Sequence, residues 1–508
     1  MPNRHQSTSM STVSLSNRVD DIRLKANPLL NEATRGEKGQ FMTPASVARL
    51  LASMFSNLDG ELHVLDAGAG VGSLSAALIE RAIEKFQPSS ITTHAWEIED
   101  VLVEHQKLSI SECASDCQNQ NVELDWHIHK EDYISSAVSI LKARSLGQDT
   151  PRFNKAILNP PYLKIAANSN ERAALRSVGV ETGNLYSCFV SLALMLLEDG
   201  GELVAITPRS FCNGPYFKDF RRLLLDGNSL CKIHVFDSRN KAFKGDKVLQ
   251  ENVIFHIIKG QPQQRVAISS SSCADDNDIK VRTASFDEVV QPENPERFIH
   301  IVTSDDEAEI AKFIGNMPCS LDDLDIQVST GKVVDFRTKE NLRMELDSGS
   351  VPLIYPMHFN NSEIEFPISG SKKPNAIALN DTTMSLMVPN GTYVLTKRLT
   401  AKEENRRVVA SLYTDKVATT EYVGFENKTN YYHSKGSPIE DSLAKGLLVY
   451  LNSNVVDQYF RQFNGHTQVN ATDLRSLRYP SYEALVKMGE CLDEDSSQRF
   501  DDIVQLSI

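Results

Sequence analysis

The 508 residues contain no CxxC pair, no apolar run near 18 residues, and no apolar segment behind the N-terminal MPNRHQSTSMSTVSLSN. Without such a run no transmembrane helix is expected. Without an apolar h-region no secretory signal is expected. The eight cysteines are Cys113, Cys117, Cys188, Cys212, Cys231, Cys273, Cys319 and Cys491. Cys113 and Cys117 stand at helical i, i+4 spacing with no evident His or Cys partner, so reduced thiols and no metal site are expected. Positive charge is also short: 53 Lys and Arg face 67 Asp and Glu, net −14. That deficit argues against a nucleic-acid partner, but it is concentrated. Residues 271–310 hold eleven acids and three bases, and residues 481–508 hold seven acids and two bases, leaving the rest near neutral. A basic cluster, Lys397, Arg398, Lys402, Arg406 and Arg407, interrupts that balance. Such a cluster can touch phosphates, but on charge alone a solvated helix face paired with Glu403 and Glu404 is the favoured reading. Hydrophobic residues make up 41% and charged ones 24%, a globular balance that excludes collagen, mucin and whole-chain disorder. At roughly 150 residues per domain the length suggests two to four domains.

Hydrophobic periodicity divides the chain. Residues 1–17 read as a Ser/Thr-rich disordered tail. PASVARLLASMFSN (44–57) reads as an amphipathic helix with Thr43 as N-cap and Pro44 at N1. LHVLD (62–66) is an apolar strand, followed by a Gly-rich turn and a helix over about 73–86. Further strands are expected at 91–99, 201–208, 231–236 and 252–258, and NKAILNPPY (154–162) reads as a strand running into a Pro-Pro loop. An apolar helix over 185–198 is expected to stop at Asp199-Gly200-Gly201. Strands alternating with helices predict an α/β domain, a doubly wound, Rossmann-like parallel sheet, over 18–265. The acidic stretch 266–310, with Pro292 and Pro295, reads as a linker. A second, mixed α+β domain is placed at 311–508.

AGAGVGS (67–73) places Gly68, Gly70 and Gly72 between a strand and a helix, where the backbone can turn sharply and approach a ligand. Such a loop fits NAD, FAD or S-adenosylmethionine. Asp66 at the strand end can pair with an amino group, and GxGxG replaces the phosphate-binding GxGxxG; both favour the methyl donor. Glu97, at the end of WEIE, is placed to accept ribose hydroxyls, or is a surface acid at the sheet edge. Asp132 could bond an adenine amine, with Ile98 and Tyr133 covering the ring.

Asn159-Pro160-Pro161-Tyr162 ends a strand. Consecutive prolines force an extended path and donate no backbone hydrogen bonds, leaving carbonyls free to face a pocket. An exocyclic amine on an aromatic ring is a poor nucleophile because its lone pair is delocalised. The Asn159 amide oxygen and the Pro160 carbonyl can accept its two N–H bonds, while Tyr162 stacks on the ring. No metal or acid–base pair is required.

With GQFMTP (39–44) first, DAGAG second and NPPY third, the sequence resembles the gamma-class adenine-N6 DNA methyltransferases of type II restriction–modification systems. YVLTKRLTAKEENRRVVASLY (393–413), NKTNYYH (427–433) and the segment 446–480 are similar to modification enzymes of the PstI/BsuBI type, so the resemblance spans about residues 17–480. It implies S-adenosylmethionine as cofactor, bound by Thr43, Pro44, Asp66, Gly68, Gly70, Glu97, Ile98, Asp132 and Tyr133. It implies Asn159, Pro160 and Tyr162 on the target base. Phe243, in KAFKGDKVLQENVIFHIIK, would be the second face of the sandwich around that base, or else a core aromatic. Double-stranded DNA is the implied partner, in a target of the CTGCAG kind, with a separate cognate endonuclease. A bacterial cytoplasmic monomer without membrane contact is expected.

Methylating a base inside a duplex requires extruding it, and choosing one adenine among many requires base-edge contacts. The second domain is the expected source. Arg398, Arg406 and Arg407 read as phosphate contacts. FNGHTQVNATDLRSL offers His466, Gln468 and Asn470, with Asn464, Arg475 and Arg478, as base or phosphate contacts, or equally a loop-to-helix junction capped by Asn470 or Thr472. Three rival functions follow: methylation of RNA or of a protein glutamine, a catalytically silent DNA-binding module, and a fused nuclease–methylase. The long second domain argues against the first, the intact motifs against the second, and the lack of a nuclease acid–lysine cluster against the third.

Overall fold

The computed structural model describes residues 13–30, 42–236, 251–276, 278–292, 294–400, 404–465, 467–492 and 500–507. They form two compact units, Met1–Val289 and Val290–Ile508.

The first unit is built on a nine-stranded sheet: β1 Gly60–Ala67, β2 Pro88–Trp96, β3 Glu123–His129, β4 Phe153–Leu158, β5 Leu197–Pro208, β6 Asn228–Phe236, β7 Asn252–Lys259, β8 Val266–Ser271 and β9 Lys280–Ala284. Its order is β3-β2-β1-β4-β5-β7-β6-β8-β9. The first five strands are parallel, and β7 runs antiparallel to both β5 and β6. The chain leaves β1 toward β2 and β3, then resumes at β4 on the other side. The ends of β1 and β4 therefore meet at the switch point where an open α/β sheet binds its ligand.

Helices α1 Leu15–Ala26, α2 Ala45–Ser53, α3 Ser73–Lys85 and α4 Asp100–Asn119 share one core with the sheet, in which Val19, Leu51 and Leu78 meet Val64, Ile157 and Val204. Cys113 belongs to this core, acting as a small apolar residue. Helices α5 Tyr133–Ser145, α6 Asn170–Arg176 and α7 Leu185–Leu196 follow in sequence. Right-handed crossovers that run in opposite directions from the switch point put α5 and α7 on the face opposite α3 and α4.

Several boundaries differ from the sequence reading. Helix α1 opens inside the expected tail, where Ser14 accepts the Asn17 amide at 3.4 Å. Pro44 is the N-cap rather than N1 of α2, because the first helical amide, Ala45, is satisfied by Asp20 from α1 at 3.0 Å. The apolar helix expected over 185–198 ends at Leu196, and Asp199-Gly200-Gly201, expected as its stop, lies within β5. The expected linker 266–310 also carries structure: β8 pairs with β6, and β9 with β8. Its acidic residues mask strands whose inward positions, Val266 and Ile268, are buried. Phe298, fully buried and stacked on Phe463 at 5.5 Å, already belongs to the second unit.

The second unit contains a six-stranded and a five-stranded sheet, followed by helices over Asp441–Leu451, Asn454–Phe463, Ala471–Arg475, Tyr482–Glu490 and Phe500–Ser507. The helices Asp441–Leu451 and Tyr482–Glu490 cross at Gly446 and Gly489. A Cβ on Gly446 would stand 1.8 Å from the Leu485 carbonyl oxygen, and one on Gly489 1.9 Å from that of Ser442.

Glu202 on β5 links to side chains on the neighbouring strands β4 and β7. It is 3% exposed, lies 2.8 Å from both Lys155 Nζ and His256 Nε2, and accepts the Ser56 amide at 2.7 Å. Burial alone would raise its carboxyl, but the His256 bond and the Lys155 charge outweigh this and hold it at about 2. A folded value below the unfolded one stabilises the fold above about pH 4.5, and that stabilisation is lost as pH falls toward 2. Glu202→Leu, which strands Lys155 in the interior, is expected to lower unfolding free energy by about 3–5 kcal/mol at pH 7. Urea melts check this, and a parental midpoint would contradict it.

Candidate active site

After β1 the backbone turns through Gly68, Gly70 and Gly72, whose φ angles of 74°, 59° and 86° are left-handed and strained for any residue with a Cβ. The turn is tied to the end of β2. Gly68 and Ala69 both donate to the Trp96 carbonyl, at 3.0 and 2.9 Å. The Glu97 carboxylate then accepts three backbone amides: Gly70 at 2.9 Å, Ile98 at 2.8 Å and Glu99 at 2.9 Å. Glu97 is 5% exposed, so it is no surface acid. Burial raises its carboxyl above the ordinary range, against the pull of those amides.

Asp66 lies behind this loop, not in the cleft. It is fully buried, and its Oδ2 accepts the Ser75 hydroxyl at 2.6 Å. Burial, with the Glu97 charge adding, pushes it up to about 7 despite the Ser75 bonds. The Ser75 bond anchors Asp66 Oδ2 beneath the loop, while its Oδ1 is buried without a hydrogen-bond partner.

In front of the loop a cleft of about 830 Å³, counted to its open mouth, is lined by Thr43, Gly68, Gly70, Glu97, Ile98, Asp132, Tyr133 and Asn159. Asp132 is the N-cap of α5, accepting the Ser135 amide at 2.8 Å. Tyr133 packs against Phe189 at 4.9 Å and meets Trp96 edge-on at 5.4 Å. These rings make an apolar wall for a flat ligand. Two lining residues, Ser73 and Tyr133, carry buried hydroxyls without a protein partner. Such groups are costly unless a ligand or water satisfies them. An acceptor carboxylate, an aromatic wall and unsatisfied hydroxyls together suit a nucleoside.

Met42, Trp96, Leu102, Glu131 and Phe189 line the cleft as well and were not foreseen. Trp96 carried a signal, standing next to Glu97 at a strand end. Phe189 carried none, since an apolar helix has no mark for the residue that faces a ligand.

Asn159 enters the same cleft from the end of β4. Its Nδ2 donates to Thr43 Oγ1 at 2.9 Å, and its Oδ1 accepts the Tyr162 hydroxyl at 3.2 Å. Tyr162 meets Tyr186 edge-on at 6.2 Å, and burial raises its phenol. Pro161 lines the cleft, whereas Pro44, Pro160 and Tyr162 flank it. Phe243 lies outside the described residues.

The fold brings the two segments expected to bind DNA side by side, with Leu399 bridged to Gln468 and the Val469 amide donating to the Arg398 carbonyl at 2.9 Å, but several of their side chains are engaged within the unit. Arg407 is 1% exposed. Its guanidinium donates to the Thr400 carbonyl and, at 2.7 Å, to Asn464 Oδ1, while its backbone amide donates to Asp457. A side chain so enclosed cannot reach a phosphate, and the expectation for Arg407 is withdrawn. Arg398 is half-buried and donates to the Asn427 carbonyl at 3.2 Å. Asn470 is the N-cap of the helix Ala471–Arg475, and its amide donates to Asp473 at 2.8 Å, which realises the junction alternative. Arg475 and Arg478 bond backbone carbonyls of Val328, Met317 and Pro318. Arg406 and Gln468 remain partly or fully exposed, and His466 lies outside the described residues.

The sheet order, the glycine turn over a buried acid and the Asn-Pro-Pro-Tyr loop after β4 define a Rossmann-like methyltransferase with an added domain. The family model described as Eco57I restriction-modification methylase matches residues 46–243. The chain is 52% identical over 499 residues to Type II methyltransferase M.PstI of Providencia stuartii, covering 98% of each. It is 46% identical over 480 residues to Type II methyltransferase M.BsuBI of Bacillus subtilis, covering 94% of each. Among solved structures, the Type IIL restriction-modification enzyme MmeI in complex with DNA superimposes with a TM-score of 0.52 at 12% identity, over 96% of this chain and 72% of that one, a likeness of fold. The chain belongs to the type II methyltransferases of restriction–modification systems. Its methyl donor is S-adenosylmethionine, which the cleft's acceptor carboxylate and aromatic wall fit.

Glu97→Ala removes a charged acceptor and frees three amides of the loop. Donor affinity is expected to fall by about 1.5–3 kcal/mol, roughly ten- to a hundredfold, in calorimetric titration. Unchanged affinity would remove Glu97 from the site. Arg407→Ala is expected to lower the unfolding temperature rather than flatten the salt dependence of DNA binding, and melting curves beside a salt series separate the two.

Proposed function

We propose that this DNA methyltransferase modifies N6 of an adenine extruded from duplex DNA, in a target of the CTGCAG kind. The modification would protect that site from a separate endonuclease. We propose further that the chain acts as a monomer in the bacterial cytoplasm; no helix among the described residues is long and apolar enough to cross a membrane. Identity to M.PstI and M.BsuBI over nearly the whole chain disfavours a methyltransferase of RNA or of protein glutamine, which would share the catalytic half alone.

The observation that carries the choice of an amine is Asn159. Its amide is held at both ends, the nitrogen by Thr43 and the oxygen by Tyr162. This network presents an acceptor oxygen to a base that enters beside Tyr162. Accepting an N–H bond there localises the amine lone pair on nitrogen, which the delocalised ground state denies it. S-adenosylmethionine, when bound, supplies an electrophilic sulfonium methyl. The residues need only hold amine and methyl in line and exclude water, which is positioning and electrostatic catalysis. Pro160 and Pro161 keep the loop extended, so that Asn159 does not fold back onto the sheet.

Digestion of plasmid from cells expressing the chain, against a panel of restriction enzymes, identifies the protected sequence. Mass spectrometry of the nucleosides is expected to show N6-methyladenine, and N4-methylcytosine would overturn the adenine assignment. Asn159→Ala is expected to cost about 10²–10³ in turnover with donor affinity retained. Thr43→Val, which releases the amide nitrogen, is expected to cost about two- to tenfold for one neutral hydrogen bond. Thr43→Ser restores the hydroxyl and is expected to recover most of that loss.

A further inference from the structure

Within the second unit an open groove of about 1270 Å³ is lined by Asn361, Ser362, Lys397, Asn405 and Arg406, with Phe359 and Asn452 at its floor. Lys397 Nζ sits 5.8 Å over the Phe359 ring. Arg406 Nη1 is buried without a hydrogen-bond partner. Among the described residues no carboxylate pairs with either cation, and Glu404, the one acid in the lining, is engaged in a further interaction. Two cations thus converge on a groove whose lining also holds the amides of Asn361, Asn405 and Asn452, the hydroxyls of Ser362 and Ser411, one acid and several apolar side chains, in a chain of net charge −14. That arrangement suits an anion.

The groove's rim is a hairpin turn. Strands Phe359–Asn360 and Glu363–Ile364 pair around Asn361 and Ser362, whose φ angles are 44° and 75°. A two-residue turn with both φ positive favours Asn then Gly. Serine at the second position is the costlier residue, and strain of this kind gathers at functional sites. The Ser362 carbonyl accepts the Leu412 amide at 2.8 Å, but neither the Asn361 nor the Ser362 side chain bonds the protein among the described residues. An unengaged amide beside an unengaged hydroxyl is the pair of groups that reads base edges: Asn bidentate to adenine, Ser to several bases.

We infer that this groove is a DNA-reading surface of the second unit. Lys397 and Arg406 take phosphates, and the Asn361-Ser362 turn takes base edges. The inference rests on the proposed action on duplex DNA and names the residues that would choose the site.

The test uses the full chain, the duplex that the parent protects in the digestion panel, and a scrambled duplex of equal length. Asn361→Gly and Ser362→Gly keep the turn's backbone. Each is expected to leave the unfolding temperature unchanged or raised, while the preference for the protected duplex falls at least fivefold in competition binding. Lys397→Ala with Arg406→Ala is expected to weaken binding to both duplexes at least tenfold and to flatten the dependence of affinity on salt by about two phosphate contacts. Parental discrimination in both glycine variants, or a parental salt slope in the double variant, would overturn the inference while parental methylation leaves the enzyme reading intact. A parent that protects no sequence would overturn both.

Discussion

The site depends on one carboxylate. Glu97 gathers the amides of Gly70, Ile98 and Glu99, binding the turn after β1 to the end of β2. Three charge-assisted bonds to fixed backbone hold left-handed glycines that have no side chains of their own to pack. The cleft takes its shape from that tie: Gly68 and Gly70 form its floor, and Trp96 is fixed beside it. Asp66 beneath and Ser75 behind complete the support. A buried acid thereby orders the loop before any ligand arrives and keeps acceptor capacity facing the cleft.

Asn159 and the cleft in front of the glycine turn are linked through a single hydroxyl. Thr43 stands in the segment that leads into α2, far from Asn159 in sequence, yet its Oγ1 takes the amide N–H. The residue that orients the Asn159 amide thus also lines the cleft. On the proposed function, donor binding and amine activation would share one wall, which suits a transfer whose two reactants must be aligned before a bond forms.

Net charge describes this protein poorly. Several acids of 271–310 lie at helix starts, and within the 397–407 cluster Arg407 turns fully inward while Arg398 is half-buried. Arg407, Asn464 and Asp473 form a chain of buried bonds, while Asp457 binds both the Arg407 amide and Arg461. Removing any member leaves another unsatisfied in the interior. Attraction for a polyanion must come from the cations left unpaired, and Lys397 and Arg406 meet that description.

The catalytic half was legible because its signals are local. Apolar strand runs, glycines at a strand-to-helix turn and a Pro-Pro loop act within a few residues of where they stand, and the strand-end placement of Asp66, Glu97 and Asn159 followed from those runs. What sequence could not decide depends on which neighbours arrive from elsewhere. Asp66 turned under the loop because Ser75 met it there, and Pro44 became a cap because Asp20 supplied the missing acceptor. Strands β8 and β9 hid beside an acidic stretch: β8 is short and serine-rich, and β9, at the sheet edge, alternates charged with uncharged residues. Arg407 and Arg406 are adjacent and chemically identical, yet one is enclosed and the other open. That difference is set by packing against Asp457 and Asn464, residues some fifty positions away, and only the folded chain brings them together.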